Sequence, residues 1–166
     1  INLRYFNAAG YDTKRRVMGL ENNPQNLIPL VMETAIGGRE KIHIFGNDYS
    51  TKDGTGVRDY IHVSDLVNAH YLALKRMREG KGSLVANCGY GNGYSVLEVI
   101  NAVKDVARKD FEVRVSRRRP GDAVAIVAEA ERCRRELDWK PRFDDLNTIV
   151  EHALNWEAKL AKRNRE

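Results

Sequence analysis

The side chains in this sequence best suited to binding an anion are arginines that lie next to glycine or at the end of a predicted strand. Arg58, Arg119 and Asp122 form this group, although Arg58 is far from the other two along the chain. A guanidinium group presents a planar pair of N–H donors that matches two phosphate oxygens at once, which an ammonium group cannot do. Arginine clusters are also common on solvated surfaces, so the spacing alone leaves both alternatives open.

A predicted helix start offers a second set of anion donors. Asn26 is a favourable N-cap residue, and the backbone N–H groups of Leu27 and Ile28 after it have no partner within a helix. Such donors, together with the partial positive charge of the helix N-terminus, bind phosphate groups. Phe45, at the end of a predicted strand, offers an apolar ring on which a flat base can pack. These groups together describe a site for a nucleoside diphosphate.

Two short patterns typical of dinucleotide-dependent enzymes do not support a catalytic assignment. The glycine run over 89–93 lacks the third glycine of the dinucleotide-binding fingerprint, because Tyr94 stands at that position. We interpret this run as a flexible turn between a strand and a helix. Tyr71 and Lys75 have the Tyr-x-x-x-Lys spacing of a catalytic tyrosine and its activating lysine. They lie in an apolar stretch of a predicted helix, so we expect Tyr71 to pack in the core.

The histidines and carboxylates show no pattern typical of metal binding or acid–base catalysis. No histidine has ligand spacing with a cysteine or a carboxylate, and no pair of carboxylates is placed for general acid–base work. We therefore predict neither a metal site nor a catalytic residue in this chain.

Composition restricts the class of protein. The 166 residues include 42% hydrophobic and 31% charged residues, with a net charge of +5. This length corresponds to one compact unit, or to one half of a larger two-part enzyme. No apolar run approaches the roughly 18 residues that cross a bilayer. Two cysteines, Cys88 and Cys133, are too few for a disulfide scaffold. We expect a cytoplasmic protein with no membrane contact.

Strand-like and helix-like segments alternate along the chain, which predicts an α/β fold. Strands are predicted at 1–6, 41–45, 57–63, 84–88 and 111–115, and helices at 27–36, 64–77, 96–106, 129–137 and 144–162. We expect the segment from Asn7 to Gly10 to break the first strand. The helix over 96–106 has the clearest helical repeat of apolar residues. The helix over 64–77 places Leu66, Val67, Leu74 and Met77 on one broad apolar face.

Two segments indicate a known family. One is Leu-Arg-Tyr-Phe-Asn over 3–7, and the far more specific one runs over 45–63 and contains Asp-Tyr-Ser-Thr-Lys-Asp-Gly-Thr directly before Gly-Val-Arg-Asp-Tyr. In these segments the chain resembles the UDP-glucose 4-epimerases, which are extended short-chain dehydrogenases acting on nucleotide sugars. Further matching stretches follow in the same order at 26–29, 95–99, 118–122 and 137–141. The resemblance therefore covers essentially the whole chain.

The resemblance covers only the second half of such an enzyme. The Gly-rich NAD loop, the catalytic Ser or Thr and the working Tyr-x-x-x-Lys of the family are not found in this sequence. Because the chain also begins inside a strand-like run, we expect a fragment. Residues 1–12 would be the last part of the NAD-binding Rossmann domain and 13–166 the UDP-sugar-binding domain, with 57–89 a candidate to pack back on the Rossmann sheet. Strands without their neighbours would make the isolated chain unstable or self-associating.

The resemblance also implies a reaction. A hydride leaves carbon 4 of the sugar for bound NAD+, the 4-keto sugar rotates, and the hydride returns to the other face. The substrate would be UDP-glucose or UDP-galactose, NAD would be bound mainly by the missing N-terminal half, and the intact enzyme would be a homodimer. This chain would hold UDP while the hexose turns, and it would be inactive alone.

Some of the residue roles implied by the resemblance lie at the start of the chain. Phe6 would contact the nicotinamide side of the cofactor, and Asn7 would contact the sugar or its adjoining phosphate. Asn26 and Leu27 would meet the pyrophosphate from the start of their helix.

The other implied roles concern the base, the phosphates and the ribose. His43 and Phe45 would frame the uracil, largely through backbone and ring packing. Arg58 and Arg119 would pair with the phosphates, and Asp122 would hold a ribose hydroxyl.

Ile126 departs from the family pattern, and two further functions stay open. The family often has a tyrosine at the position of Ile126, so we assign no contact there. The chain could be a UDP-sugar-binding module without turnover, or part of another nucleotide-sugar epimerase or dehydratase. A basic nucleic-acid binder is suggested by the positive charge and the arginines over 117–119. Aromatic residues are not interleaved with these arginines as a stacking platform requires, so we predict no nucleic-acid binding.

Overall fold

The computed structural model describes residues 1–14, 16–17 and 24–163 of the chain. The strands of this part are β1 (Asn2–Tyr5), β2 (Asn7–Ala9), β3 (Lys41–Phe45), β4 (Val57–His62), β5 (Val85–Cys88), β6 (Gly93–Ser95), β7 (Glu112–Ser116) and β8 (Ala125–Ile126). Its helices are α1 (Leu27–Ala35), α2 (Val63–Arg78), α3 (Val96–Ala107), α4 (Glu131–Leu137) and α5 (Leu146–Arg163). The α/β prediction is confirmed.

Parallel pairing dominates three small sheets. β1 pairs with β5, β3 pairs with β7, and β2 pairs with β4, all in parallel. β4 also pairs with β8 in parallel and with β6 antiparallel. Because parallel strands need long crossover connections, these pairs bring together parts of the chain that are far apart in sequence. Among the described strands, β4 has the most partners, and it joins β2 to β6 and β8.

Two segments that we predicted to be irregular are strands. Asn7–Ala9 continues beyond β1 as β2, and Gly93–Ser95 at the end of the glycine run forms β6. A Cβ on Gly93 would lie 2.5 Å from Val57 Cγ1, so this glycine allows β6 to approach β4. Local strand propensity is low in both segments, and pairing with β4 determines their conformation.

Three helices enclose the main core. α1, α3 and α5 contact one another, and the periodic apolar face predicted for α3 is confirmed. The fully buried residues on these helices are Val31, Met32, Val99, Ile100, Val103, Ile149 and Val150. Ser95 and Glu98 form a capping box at the start of α3. On the other side of the fold, α4 packs on α2 and β5, where the buried Cys88 and Cys133 lie with their Sγ atoms 3.4 Å apart.

Asp65 joins the start of α2 to the segment between α4 and α5. This buried carboxylate accepts hydrogen bonds from the Tyr90 hydroxyl at 2.8 Å and from the backbone N–H groups of Arg142 and Phe143, both at 2.9 Å. The indole N–H of Trp139 donates to the Asp65 carbonyl at 3.1 Å. These three donors compensate for the burial of the Asp65 carboxylate.

One face of α2 is apolar and exposed. We call Val67, Tyr71, Leu74 and Met77 the α2 face; these side chains are 46–66% exposed, whereas Ala69 and Ala73 turn inward. The expectation that Tyr71 packs in the core is therefore wrong, because small alanines provide the contact with the rest of the chain. No helix within the described ranges is long and apolar enough to cross a membrane.

His62 and His152 form a buried pair between β4 and α5. His62 is completely buried, and its Nδ1 accepts a hydrogen bond from the Ser64 backbone N–H at 3.1 Å. Its Nε2 therefore holds the proton and donates to His152 Nδ1 at 3.0 Å. Burial, followed by the nearby His152, lowers the pKa of His62 to about 4. Gly10 lies against this ring, where a Cβ would be 2.4 Å from His62 Cδ2.

The His62 environment predicts acid sensitivity. The pKa of His62 falls from 6.5 to about 4 on folding, so the unfolded chain binds more protons between these values. The contribution of neutral His62 to the free energy of unfolding is complete above about pH 6.5. It is lost as the pH falls towards 4, by up to about 1.4 kcal/mol per pH unit. Urea unfolding of wild type and His62→Asn from pH 7 to pH 4.5 measures this slope. His70→Asn, at an exposed position of α2, is the control. Equal slopes for wild type and His62→Asn would contradict the assignment.

The α2 face predicts self-association of the isolated chain. Contiguous exposed apolar side chains favour contacts between copies, because association removes their surface from water. Leu74→Glu places a charge in this face, and we expect a lower apparent mass in size-exclusion chromatography over a concentration series. Asn68→Glu adds the same charge at an exposed position of α2 outside the face and should leave the mass unchanged. A wild-type chain that is monomeric throughout the concentration series would rule out self-association through the α2 face.

Candidate functional site

An open cleft with a volume of about 110 Å³ lies among β3, β4 and the start of α1. The structure brings most of the predicted site residues together around it. They are Asn7, Leu27, His43, Phe45, Arg58, Arg119 and Asp122. Asn26 precedes α1 as its N-cap residue, but its side chain makes no cap hydrogen bond and is exposed outside the cleft lining. Phe6 is half-buried between β1 and β2 and also lies outside the lining.

Asp122 joins the two arginines of the cleft. Its Oδ1 accepts from Arg58 Nη2 at 3.2 Å, and its Oδ2 accepts from Arg119 Nε at 3.0 Å. Arg58 Nη1 also donates to the carbonyl oxygens of Val57 and Ala123, at 2.8 and 2.9 Å. Arg58 is thereby fixed in direction, whereas the Arg119 side chain remains 59% exposed. Two positive charges against one negative charge leave the cluster attractive to an anion.

An aromatic and a histidine side chain lie on one face of β3. His43 and Phe45 are exposed on this strand, while Ile42 and Ile44 are buried, as the two-residue period of a strand requires. His43 Nδ1 lies 2.9 Å from Ser116 Oγ on β7, and the Arg119 guanidinium lies 4.8 Å from the centre of the Phe45 ring. The cleft thus combines a flat apolar surface with cationic donors.

Asp59 fixes the strand from which Arg58 projects. This carboxylate, only 1% exposed, accepts from the backbone N–H of Tyr90 at 3.2 Å, of Gly91 at 3.0 Å and of Ala128 at 3.1 Å. The Asn7 amide donates to the Asp59 carbonyl at 3.0 Å. Because side chains alternate along β4, Asp59 points away from the cleft that Arg58 and Tyr60 line. Asp59 therefore holds the segment after β5, the segment after β8 and strand β2 in place around Arg58.

The segment over 46–56 is anchored to the start of α3. Asp53 accepts from the hydroxyl groups of Ser95 and Thr55 and from the Thr55 backbone N–H at 2.9 Å. Burial raises the pKa of Asp53, but these hydrogen bonds outweigh it and leave the pKa below its usual value. The Leu97 N–H donates to Thr55 Oγ1 at 3.3 Å. The segment Asp-Tyr-Ser-Thr-Lys-Asp-Gly-Thr over 48–55 is thus a compact turn that brings Gly56 to the cleft.

The sequence did not indicate the remaining residues of the cleft. They are Gln25, Leu30, Ile42, Tyr49, Gly56, Tyr60 and Val96. Most are apolar or aromatic and are indistinguishable in sequence from core residues. Only the alternation in β4 could have placed Tyr60 on the same face as Arg58. Burial raises the pKa of Tyr60 to about 12, although Arg58 acts in the opposite direction, so its hydroxyl stays protonated at neutral pH.

The described residues include no cluster of three or more His, Cys, Asp or Glu side chains arranged to hold a metal ion. The cleft lining itself offers guanidinium, amide, imidazole, carboxylate and aromatic groups. This arrangement is typical of recognition of a phosphorylated ligand with a flat base.

Residues 1–152 match the protein-family model described as GDP-mannose 4,6 dehydratase. The chain belongs to this family, and its α/β fold with parallel strands corresponds to the C-terminal half of the extended short-chain dehydrogenases.

Curated relatives support the resemblance found in the sequence. The chain is 46% identical over 155 residues to the UDP-glucose 4-epimerase of Halalkalibacterium halodurans, covering 93% of this chain and 46% of that relative. It is 47% identical over 158 residues to the UDP-glucose 4-epimerase of Azospirillum brasilense, covering 95% and 45%. The chain thus spans about half the length of the curated relatives it matches.

Solved structures show the same fold. A UDP-glucose 4-epimerase from Stenotrophomonas maltophila, with bound NAD and formylated UDP-arabinopyranose, matches 97% of this chain and 48% of its own, with a TM-score of 0.92 and 39% identity. The enzyme from Bifidobacterium longum, in complex with NAD+ and UDP, matches 95% and 47%, with a TM-score of 0.87 and 39% identity.

The Asp59 hydrogen bonds predict a large effect of a nearly isosteric substitution. Asp59→Asn removes the charge and turns an NH2 group towards backbone donors, so we expect the free energy of unfolding to fall by about 2–3 kcal/mol. Urea unfolding at neutral pH measures the loss. Asp105→Asn, at an exposed position of α3, is the matched control and should change stability little. A loss of less than about 0.5 kcal/mol for Asp59→Asn would show that the three contacts do not hold the loops.

Proposed function

We propose that this chain is the UDP-sugar-binding part of an NAD-dependent UDP-glucose 4-epimerase and that the cleft holds the UDP moiety of UDP-glucose or UDP-galactose. The proposal is supported by relatives of that name at 46–47% identity and by the similar structure of the Bifidobacterium longum enzyme in complex with NAD+ and UDP. Because the chain spans about half of each, the complete reaction requires residues that this chain does not contain.

The single observation that supports UDP binding most directly is the cluster of Arg58, Asp122 and Arg119 beside Phe45. A diphosphate approaching the cluster meets the fixed guanidinium group of Arg58, which already makes three hydrogen bonds within the protein and adds positive charge. It also meets the exposed guanidinium group of Arg119, whose planar donors suit two phosphate oxygens. Asp122 orients both arginines and offers its oxygens to a ribose hydroxyl. The exposed ring of Phe45 gives the base an apolar surface on the same side of β3 as His43.

The hexose end of the ligand would lie near Asn7. The amide group of this residue donates to the Asp59 carbonyl, which fixes its rotation and leaves the amide oxygen directed as an acceptor. A nucleotide held by paired arginines stays bound while a weakly held hexose changes orientation. This difference in attachment is what an epimerase needs to expose both faces of carbon 4.

Phe6 is the residue of this chain that we assign to the cofactor. It follows β1 at its carboxyl end, and nucleotide cofactors lie outside the carboxyl ends of parallel strands in doubly wound folds. A half-buried aromatic ring there fits a single apolar contact with nicotinamide. NAD would supply acceptance and return of the hydride at carbon 4. Its other contacts would come from the N-terminal half.

The N-terminal half is also the partner that fits the exposed parts of the fold. β1 and β5 form a two-stranded parallel sheet, whereas parallel sheets in proteins normally have more strands and two covered faces. Tyr5 and Val85 at this pair are exposed, as is the α2 face. Assembly into a longer sheet would cover these surfaces. The homodimer and the cytoplasmic location implied by the resemblance stay predictions.

A UDP-sugar-binding module without turnover is the second candidate. Among the described residues of the cleft there is no tyrosine–lysine pair at catalytic spacing, since Tyr71 and Lys75 lie on α2 outside it. Conversion of UDP-galactose to UDP-glucose on addition of NAD and the N-terminal half would favour the epimerase. Binding of UDP-glucose without conversion would favour the module.

Calorimetry with UDP tests the assignment of the cleft. Arg119→Ala removes one of two cationic groups, so we expect UDP to bind several-fold more weakly, while uridine, which lacks phosphate, should be affected less. Arg132→Ala, an exposed arginine on α4, removes the same charge and serves as the control. Unchanged UDP affinity in Arg119→Ala would refute the phosphate assignment, and no binding of UDP by wild type would refute the proposed function.

A further inference from the structure

Arg118, the neighbour of Arg119, makes a different set of contacts. Its guanidinium carbon lies 3.9 Å from the centre of the Tyr49 ring. Its Nε donates to the Asp48 carboxylate at 2.6 Å, and its Nη2 donates to the Asp48 carbonyl. One side chain therefore connects the segment after β7 to the turn after β3 through three contacts.

These contacts are more than a solvated surface ion pair. Tyr49 is only 5% exposed, so the guanidinium lies over a ring that belongs to the packed interior. Gly46 has φ +89°, and a Cβ there would be 2.5 Å from Arg118 Cγ and 2.8 Å from Tyr49 Cε2. Only glycine allows this approach. An isolated exposed ion pair contributes little, but a stacked, two-point contact holds the guanidinium in one orientation.

The contact of Arg118 with Tyr49 lies at the end of the sheet formed by β3 and β7, next to the cleft. The ladder between β3 and β7 ends with the hydrogen bond from Gly46 N–H to the Ser116 carbonyl at 2.9 Å. Beyond it the chain leaves the sheet and reaches Arg119, whose guanidinium lies over Phe45. The two consecutive arginines thus stack on Phe45, which precedes Gly46, and on Tyr49, which lies in the turn after it. Both rings line the cleft, but Tyr49 is the more deeply buried of the two.

We propose that Arg118 is a positioning residue that fixes the segment 117–122 on the turn 46–56 and so holds Arg119 over Phe45 and against Asp122. Its effect on ligand affinity rests on the proposed function, whereas its effect on Arg119 does not. Arg118 contacts no ligand in this assignment and acts through its neighbour. It is distinct from the arginines that line the cleft, Arg58 and Arg119.

Nuclear magnetic resonance of the 166-residue chain without ligand tests the positioning directly. The Nε–H group of Arg119, bonded to Asp122, should give a protected signal in wild type and lose that protection in Arg118→Ala. Arg118→Lys keeps the charge but not the planar fork, so we expect partial recovery. Arg117→Ala removes the same charge from the adjacent exposed position and should leave the signal unchanged. Backbone amide spectra show that each variant is folded.

The UDP affinities of the same variants give the second readout. We expect Arg118→Ala to weaken UDP binding about five-fold, close to the effect of one stacked cation, and Arg117→Ala to change it little. A protected Arg119 signal in Arg118→Ala, or equal loss in Arg117→Ala, would overturn the inference. If wild type fails to bind UDP, the proposed function fails, and the ligand-free signal of Arg119 alone decides the role of Arg118.

Discussion

A single buried carboxylate determines how the loops around the cleft are arranged. Asp59 can occupy the interior of the fold only because three backbone N–H groups satisfy it, and these belong to the segment after β5 and the segment after β8. An unpaired carboxylate in this position would be strongly unfavourable. The requirement works in both directions, because the loops also need an acceptor for buried N–H groups. Strand β4 therefore fixes both the direction of Arg58 and the walls on either side of it.

The cleft is assembled from elements that lie far apart along the chain and pair in space. Asn7 comes from β2, His43 and Phe45 from β3, Arg58 from β4, and the segment with Arg119 and Asp122 follows β7. Parallel pairing supplies this arrangement without a hairpin. It places Asn7, at the start of β2, beside Tyr60 of β4, and Phe45, at the end of β3, beside Ser116 of β7. The net positive charge of the Arg58, Arg119 and Asp122 cluster favours an anionic ligand. The two arginines share one aspartate, and this keeps them oriented in the absence of an anion while leaving a positive surplus.

Part of the fold and part of the cleft could be predicted from the sequence, and the remaining features could not, for physical reasons. The periodic residues of α3 gave a correct helix and a correct buried face, because local pattern and burial agree there. Asn7–Ala9 and Gly93–Ser95 were wrongly expected to be irregular, since their strand conformation depends on β4, more than 30 residues away for Gly93. Arg58, Arg119 and Asp122 stood out by residue type, and family resemblance added Asn7 and His43. Tyr49 and Tyr60 did not stand out, because an aromatic residue at a cleft and one in a core have the same sequence signature.

Helix α2 has its small side chains on the inner face and its large apolar side chains on the outer face. The stability of this chain therefore depends on whatever covers the outer face. Alanines face inward and Val67, Tyr71, Leu74 and Met77 face outward, so a large part of the transfer free energy of these side chains, about 1–2 kcal/mol each, is not realised within the chain. A surface that covers them binds the folded state and not the unfolded state. By mass action, the unfolding equilibrium then depends on the concentration of that surface as well as on temperature and pH. Folding and assembly are thermodynamically linked through one helix.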